Sequence, residues 1–183
     1  WPGNPTPRVA EVYGGMLNAI GLQNPGIDVF VQRDIPFLTH YDTRIIVNVC
    51  GKTASDYIEV VERLAEQPVD MLEINVSCPN VKEGGIAFGQ NPHALEAITK
   101  EVKKYAKQPI IMKLSPNVTS ISEMAKAVEA GGADAVFAFA GQNRTDFDLF
   151  NAGLLDDFDV VFVNQLAFLN QNLAGFRMQD VFL

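Results

Sequence analysis

Four polar side chains stand within or directly after apolar runs of the sequence: Asn48, Asn75, Cys78 and Lys113. The lysine lies inside the run IIMKLS, where its charge is costly to bury alone and a bound anionic group would neutralise it. A thiol can act as a general base once it is partly deprotonated. Asparagine side chains can orient the carbonyl or amide groups of a ligand. These residue types favour a site that binds an anionic cofactor and transfers a proton.

Each of these residues also has an ordinary structural interpretation. Asn48 can be a turn residue at a strand end, Lys113 a surface lysine whose ammonium reaches water, and Cys78 a small buried hydrophobic residue. A cysteine–histidine nucleophile pair is the weaker chemical alternative, because His40 and His93 have no evident relation to the thiol. Polar residues in three successive runs favour function over three separate structural explanations.

The apolar runs that carry these residues are typical of buried parallel strands. They are short and nearly continuous, and polar or glycine residues end them. We predict strands over residues 44–51, 69–77, 109–115 and 133–140.

Helical patterns with recognisable start signals separate the strands. The predicted caps are Thr53 with Asp56, Asn91 before Pro92, and Ser120 with Glu123, and Gly131-Gly132 closes the third helix. The predicted apolar stripes are Tyr57, Val60, Val61 and Leu64 on the first helix and Leu95, Ile98, Val102 and Tyr105 on the second.

Strict alternation of strand and helix predicts βαβ units, hence a doubly wound sheet or a (β/α)8 barrel. No G-x-G-x-x-G follows a strand, and several strand ends each contribute a polar group, which favours the barrel. We therefore predict an α/β fold of the TIM-barrel type, with residues 1–183 as one domain and residues 140–183 atypical. About six strands are countable, whereas a closed barrel usually needs ~250 residues, so the expected barrel is incomplete or truncated.

The composition restricts the setting of the protein. The net charge is −8 and basic runs are short, so nucleic acid and anionic membranes are poor partners. The two cysteines show no metal-type spacing and fit reduced thiols in a cytoplasm. No apolar run is long enough for a membrane span, and the N-terminal residues lack the pattern of a signal peptide. We expect a cytoplasmic protein without a bound metal.

Three long segments carry a family resemblance: GNPTPRVAEVYGGMLNAIGLQNPG (3–26), INVSCPNVKEGGIAFGQNP (74–92) and IMKLSPNV (111–118). The chain resembles dihydroorotate dehydrogenases from residue 3 to about residue 139, specifically the NAD-linked class. In that class a catalytic subunit pairs with an iron–sulfur flavoprotein. The loop SCPNVKEGGIAFG resembles this class more than the fumarate-linked one.

The resemblance implies oxidation of dihydroorotate to orotate with FMN in pyrimidine biosynthesis. It implies that Cys78 is the base, that Asn75 contacts substrate and FMN, and that Asn80 contacts the substrate. Asn48 and Lys113 would bind FMN. The backbone of the segment Asn18, Ala19, Ile20, Gly21 and Leu22 would hold orotate. FAD and an iron–sulfur cluster are expected on a partner subunit, in a heterotetramer, with a homodimer as the alternative.

The sequence departs from the family pattern in two places. A family lysine that touches substrate and flavin would stand upstream of Trp1, and Ala140-Gly141 occupies the place of a substrate-contacting Asn-Thr pair. From these departures we expect this chain by itself to bind FMN weakly at best and to oxidise little dihydroorotate. Because an unclosed barrel has open strand edges and the tail is rich in phenylalanine, we also expect the chain to associate. Two alternatives stay open: a catalytically inactive remnant that acts as a scaffold, and a related barrel of the dihydropyrimidine dehydrogenase type.

The composition changes near the second departure. Residues 141–183 contain no lysine or glutamate but hold seven of the twelve phenylalanines. In this tail we predict strands at 158–165 and 178–183 and a short helix at 166–175, and we assign no residue to an FMN phosphate site.

Overall fold

A computed structural model describes residues 1–77, 86–138, 159–162 and 168–169 of the chain. Three of the sequence expectations lie outside the described residues. These are the positions of Cys78 and Asn80, the Ala140-Gly141 replacement, and the predicted strand at 178–183.

The main sheet contains the four strands predicted before the tail, each a few residues shorter than its apolar run. Its strands are β3 (Ile46–Val49), β4 (Met71–Asn75), β5 (Ile110–Lys113), β6 (Ala135–Ala138), β7 (Asp159–Phe162) and β8 (Phe168–Leu169). Strands β3 to β7 are parallel, and each bonds to the next along the chain, while β8 is antiparallel to β7. The strand predicted at 158–165 is therefore confirmed, although it is shorter than its run.

Among the described residues, three helices connect strands β3 to β6 and begin at the predicted caps. They are α3 (Ala54–Leu64), α5 (Pro92–Tyr105) and α6 (Ile121–Ala130), and a single turn, α4 (Ile86–Gly89), precedes α5. Thr53 and Asp56 form a reciprocal capping box, the side chain of Asn91 accepts from two backbone N–H groups, and Ser120 accepts from the N–H of Glu123. These side chains satisfy N–H groups that have no partner within the helix.

The strand order distinguishes a barrel from a doubly wound sheet. Helix α3 packs beside α5, and α5 beside α6, on one face of the sheet. Their apolar stripes cover the outward side chains of the strands, including Val47, Leu72 and Met112. A doubly wound sheet reverses its strand order and carries helices on both faces, whereas this order continues in one direction, as in a barrel. The fold class is α/β of the TIM-barrel type.

The face opposite the helices is here called the inner face. Near the beginnings of the strands it is apolar, with Met71, Ile111 and Ala135 buried against Ile46 and Phe137. Layers of such side chains fill the interior of a barrel. This apolar layer forms a floor beneath any ligand that contacts the later residues of the same strands.

The N-terminal region contains elements that the sequence did not predict. Strands β1 (Val9–Val12) and β2 (Gly15–Asn18) form an antiparallel hairpin whose residues are all exposed. A helical segment follows, made of α1 (Ile27–Val29), a π-helical turn (Phe30–Asp34) and α2 (Ile35–Leu38), and Ile35 anchors it in the core. Among the described residues, no helix is long and apolar enough to cross a membrane.

Two sequence predictions about the elements are wrong. Tyr105 was placed on the apolar face of α5 but is 40% exposed, because it is the last helical residue and lies beyond Val102 at the edge of the core. The short helix predicted over 166–175 is contradicted by strand β8 at Phe168–Leu169, which pairs with β7. Backbone pairing with a neighbouring strand outweighs the weak local helix pattern there.

Candidate functional site

The inner face becomes polar toward the ends of the strands. Asn48 of β3 lies opposite Glu73 of β4 in the ladder, and Asn75 of β4 lies opposite Lys113 of β5. Side chains two residues apart share a face of a strand, so these residues stand directly beyond the apolar floor. The structure thus brings together the three predicted cofactor contacts, Asn48, Asn75 and Lys113. We call the four side chains of Asn48, Glu73, Asn75 and Lys113 the strand-end group.

Asn75 lies at the centre of the strand-end group and is only 5% exposed. Its Nδ2 donates to Oδ1 of Asn48 at 3.3 Å. Its Oδ1 accepts from the backbone N–H of Ser77 at 3.2 Å and from the Ser77 hydroxyl at 3.0 Å. The amide therefore joins strand β3 to the turn that leaves β4. This turn leads to Cys78, the predicted base.

The backbone of Asn75 is fixed from the helical side of the sheet. The hydroxyl of Tyr57 on α3, a fully buried residue, donates to the carbonyl of Asn75 at 2.8 Å. The ring of Phe88 on α4 meets the Tyr57 ring edge to face, with centroids 6.2 Å apart. The end of β4 is consequently held by the side-chain hydrogen bonds of Asn75 on the inner face, and by the Tyr57 hydrogen bond and aromatic packing on the helical side.

Glu73 is the member of the group that the sequence interpretation missed. Its carboxylate accepts from Nδ2 of Asn48 and lies 3.6 Å from Nζ of Lys113. The signal was available in the strand MLEIN, because Glu73 stands two residues before Asn75 and must share its face. A carboxylate inside an apolar run is as unusual as a lysine there.

The environment of Lys113 differs from the sequence expectation. The side chain of Lys113 is 25% exposed, and its ammonium has Glu73 as a partner. The ammonium also lies 5.5 Å from the ring centroid of Phe137, the residue beside it in the ladder. The charge of Lys113 thus has a carboxylate partner within the protein, and the expectation that a bound anionic group also neutralises it stays a prediction. The partial exposure leaves donor N–H groups of Lys113 available to a ligand.

The segment Asn18–Leu22 has a backbone shape that the preceding residues hold. Gly21 and Leu22 have φ angles of 78° and 57°, in the left-handed region. Asn4 fixes the bend, because its Nδ2 donates to the carbonyl of Ala19 at 2.8 Å and its N–H to that of Ile20 at 2.9 Å. Within the described residues, no hydrogen bond joins this segment to the strand-end group. The predicted roles of Asn18, Ala19, Ile20, Gly21 and Leu22 in orotate binding stay predictions.

The loop between β3 and α3 borders the strand-end group and is tightly bonded. Partial burial raises the pKa of Asp56, but hydrogen bonds from the N–H groups of Lys52 and Thr53 and from the Thr53 hydroxyl outweigh it, so its pKa is lowered. The ammonium of Lys52 lies 5.1 Å from the ring centroid of Trp1. This contact places the N-terminal region beside the end of β3.

The strand-end group offers amide donors and acceptors, one ammonium and one carboxylate above an apolar floor. Such a set is complementary to a flat ring that is apolar on its face and polar at its edge. An ammonium at the ring edge stabilises negative charge that develops there. The donor set therefore fits a cofactor such as a flavin, with Asn48, Asn75 and Lys113 as the groups that would hold it.

The part of this chain that is similar to known proteins includes the strand-end group. The family model for dihydroorotate dehydrogenase matches residues 1–149. A "dihydroorotate dehydrogenase B (NAD(+)), catalytic subunit" of Lachnoclostridium phytofermentans is 69% identical over 136 residues, which are 74% of this chain and 45% of that protein. The proteins of the same name from Alkaliphilus metalliredigens and a Geobacillus strain are 61% and 56% identical, over 74% and 72% of this chain and 45% and 42% of theirs. The chain thus spans less than half the length of these curated relatives.

Proposed function

Because this chain belongs to the dihydroorotate dehydrogenase family, we propose that it contributes FMN- and substrate-binding residues to an enzyme that oxidises dihydroorotate to orotate. The observation that carries the proposal is the strand-end group, in which Asn48, Asn75 and Lys113 share one face above an apolar floor. The region of family resemblance includes every member of this group.

Bound FMN would supply the acceptor for the two electrons that leave dihydroorotate. Lys113 would place its ammonium at the polar edge of the ring, where it stabilises the charge that grows as the ring is reduced. Asn75, held by Asn48 and Ser77, has no freedom to rotate away from a ligand above it. Positioning of this kind accounts for a large part of catalysis in sites that exclude water.

Cys78 is proposed as the base that removes a proton from the substrate, with Asn80 as a substrate contact. The support is the family resemblance together with the turn at Ser77, which the Asn75 side chain fixes one residue before the thiol. The proton passes to the thiolate, while the hydrogen of the neighbouring C–H bond leaves with its electron pair, as hydride, for the acceptor. The substrate is left with a new carbon–carbon double bond, and the thiol returns its proton to water.

The segment from Asn18 to Leu22 is proposed to contribute backbone N–H groups to the orotate ring and carboxylate. Its left-handed residues turn the backbone away from the strand path of β2. Asn4 and Arg8 satisfy backbone groups on the inner side of the bend, where the N–H of Ala19 donates to the Arg8 carbonyl at 2.8 Å. The support for this role is the resemblance of residues 3–26 to the family.

The relatives are named as catalytic subunits, which supports a partner subunit for electron transfer. We propose that FAD and an iron–sulfur cluster lie on that partner, and that the assembly works in the cytoplasm. A homodimer of catalytic subunits is equally compatible with the residues described.

Titration of the 183-residue chain with FMN tests the proposal, with quenching of FMN fluorescence as the readout. Lys113→Met should weaken binding on the order of tenfold or more, since a charged hydrogen bond contributes about 1.5–3 kcal/mol. Lys107→Met is the matched control, because Lys107 pairs with Glu66 at the surface, and it should leave the affinity unchanged. Equal FMN affinities of the wild-type chain, Lys113→Met and Lys107→Met would contradict the proposal.

Addition of dihydroorotate to the FMN-loaded chain without oxygen then separates the enzyme from an inactive remnant. An active site bleaches the flavin absorbance in a single turnover. A remnant that binds FMN leaves it yellow.

A further inference from the structure

We propose that Glu73 is a positioning residue, the built-in counter-ion that holds Lys113 and Asn48 in place and limits how strongly the bound flavin attracts electrons. The inference rests on the proposed function, and it assigns a role to a side chain that the family resemblance did not single out. Its basis is the geometry of the inner face.

The carboxylate of Glu73 lies between two of the proposed FMN contacts. It accepts a hydrogen bond from Asn48 Nδ2 and lies 3.6 Å from Lys113 Nζ. The Glu73 side chain is 17% exposed, less than the 25% of Lys113. Exposed ion pairs contribute little to structure, but a partly buried pair such as this one is less screened by water and constrains both partners more. Glu73 therefore fixes the side chains that would face the ring.

The charge of Glu73 has a second effect, opposite to that of Lys113. Electrons that enter a ring beside Lys113 gain from its positive charge, and a carboxylate within a few ångströms of that ammonium cancels part of the gain. A site with lysine alone would bind reduced FMN much more tightly than oxidised FMN. With Glu73 the difference is smaller, so that reduced FMN passes electrons onward more readily to a partner.

A purely structural role for Glu73 makes a different prediction. If the ion pair only stabilises the sheet, its loss lowers the free energy of unfolding. It then changes the affinities for oxidised and reduced FMN by the same factor. The ratio of the affinities for reduced and oxidised FMN separates the two roles, because uniform damage to the site leaves this ratio unchanged.

The experiment measures this ratio, through the reduction potential of bound FMN, in the wild-type chain and in Glu73→Gln. Gln keeps an acceptor for Asn48 and removes the charge, so the ratio should rise on the order of tenfold, equal to about 30 mV for a two-electron couple. Lys113→Met should shift the ratio the other way. Glu66→Gln, which breaks the exposed pair with Lys107, is the control and should leave it unchanged.

Glu73→Asp separates position from charge, because it keeps the charge and withdraws the carboxylate by one methylene. It should lower the affinity for oxidised FMN several-fold with little change in the ratio. An unchanged ratio in Glu73→Gln overturns the inference. If that variant does not fold, an unchanged affinity for oxidised FMN in Glu73→Asp overturns it.

Unfolding of the ligand-free chain tests the pairing without any flavin. Glu73→Gln and Lys113→Met should be coupled, with the double variant losing less stability than the two single losses together. Equal FMN affinities of the wild-type chain and Lys113→Met contradict the proposed function, whereas strictly additive losses of stability contradict the pairing itself.

Discussion

The two ends of the Asn75 side chain have different partners, and this gives the residue more than a binding role. Its Nδ2 donates to Asn48 on the neighbouring strand β3, and its Oδ1 accepts from the N–H and hydroxyl of Ser77 in the turn after β4. A single amide thus fixes both part of the strand-end group and the point from which the chain continues to Cys78. The geometry of binding and the placement of the proposed base are linked through this residue.

Replacement of Cys78 by Ala tests the proposed base. Loss of general base catalysis should slow reduction of bound FMN by dihydroorotate on the order of 10²- to 10⁴-fold, while FMN affinity stays unchanged. Cys78→Ser should recover activity only at high pH, because a hydroxyl ionises less readily than a thiol. Stopped-flow absorbance under anaerobic conditions gives the rate. Cys50→Ala, the change at the other cysteine, is the control, and an unchanged rate in Cys78→Ala would exclude the thiol as base.

At the scale of elements, helix α3 is attached to the site at both its beginning and its first turn. Its capping box closes the loop that follows β3, and Tyr57 bonds to the end of β4. Interactions that stabilise the first turn of α3 therefore also hold the end of β4 in place at the site.

The lowered pKa of Asp56 makes this attachment dependent on pH. A carboxyl group whose pKa falls on folding stabilises the fold above its unfolded pKa, near 3.8, and loses that effect as pH falls through the folded value. Asp56→Asn should therefore be less stable than wild type at pH 7, by about 1 kcal/mol as for other cap losses. The difference should shrink below about pH 4. Urea unfolding at several pH values measures it, with Glu59→Gln on the same helix as the control, and a difference independent of pH would contradict the assignment.

Gly89 determines how closely α4 approaches the end of β4. A Cβ atom at this position would collide with the backbone carbonyl oxygen of Val76. Gly89→Ala should therefore displace α4 and lower the free energy of unfolding by about 1–3 kcal/mol, as overpacking does. Gly15→Ala is the control, since nothing lies within 4 Å of a Cβ there. Equal stability of the two variants in urea would show that the collision is relieved without cost.

The elements that local signals specify were the ones that could be predicted. Apolar runs gave the strands β3 to β6, and the side chains of Thr53, Asn91 and Ser120 gave the helix starts, because these signals act within a few residues. The alternation of side chains along β4 also places Glu73 on the same face as Asn75. Glu73 was not predicted because it lies one residue before the segment 74–92 that carries the family resemblance. The hairpin was not predicted because its exposed residues lack apolar alternation. The helical segment 27–38 was not predicted because it depends on packing of Ile35 in the distant core.

At the scale of the whole molecule, a polar sheet end contrasts with an apolar hairpin. The hairpin β1–β2 exposes Val12, Met16 and Leu17, and Tyr13 stands at its tip. A short ribbon with exposed apolar residues and free backbone edges favours association. This observation supports the expected self-association of the chain, which stays a prediction.

Leu17→Lys tests this source of association. Leu17 is 63% exposed, so a charge there should not destabilise the fold, and surface substitutions usually change stability by less than about 0.5 kcal/mol. Light scattering against concentration should show a smaller apparent mass for Leu17→Lys than for wild type. Glu11→Lys, on the neighbouring strand opposite Met16, adds a lysine without removing an apolar side chain and is the control. An unchanged apparent mass in Leu17→Lys would show that the exposed Leu17 of the hairpin does not cause association.

The strand order of the sheet also bears on how the chain reaches its structure during synthesis. Each parallel strand pairs with the next one to emerge, as Ile46 does with Met71 and Ile111 with Ala135. A strand therefore finds its partner as soon as one further helix and strand have left the ribosome, and the entropy lost in closing each loop stays modest. Asn48 and Glu73 can meet before Lys113 is translated, so the ammonium arrives at a carboxylate that is already in place.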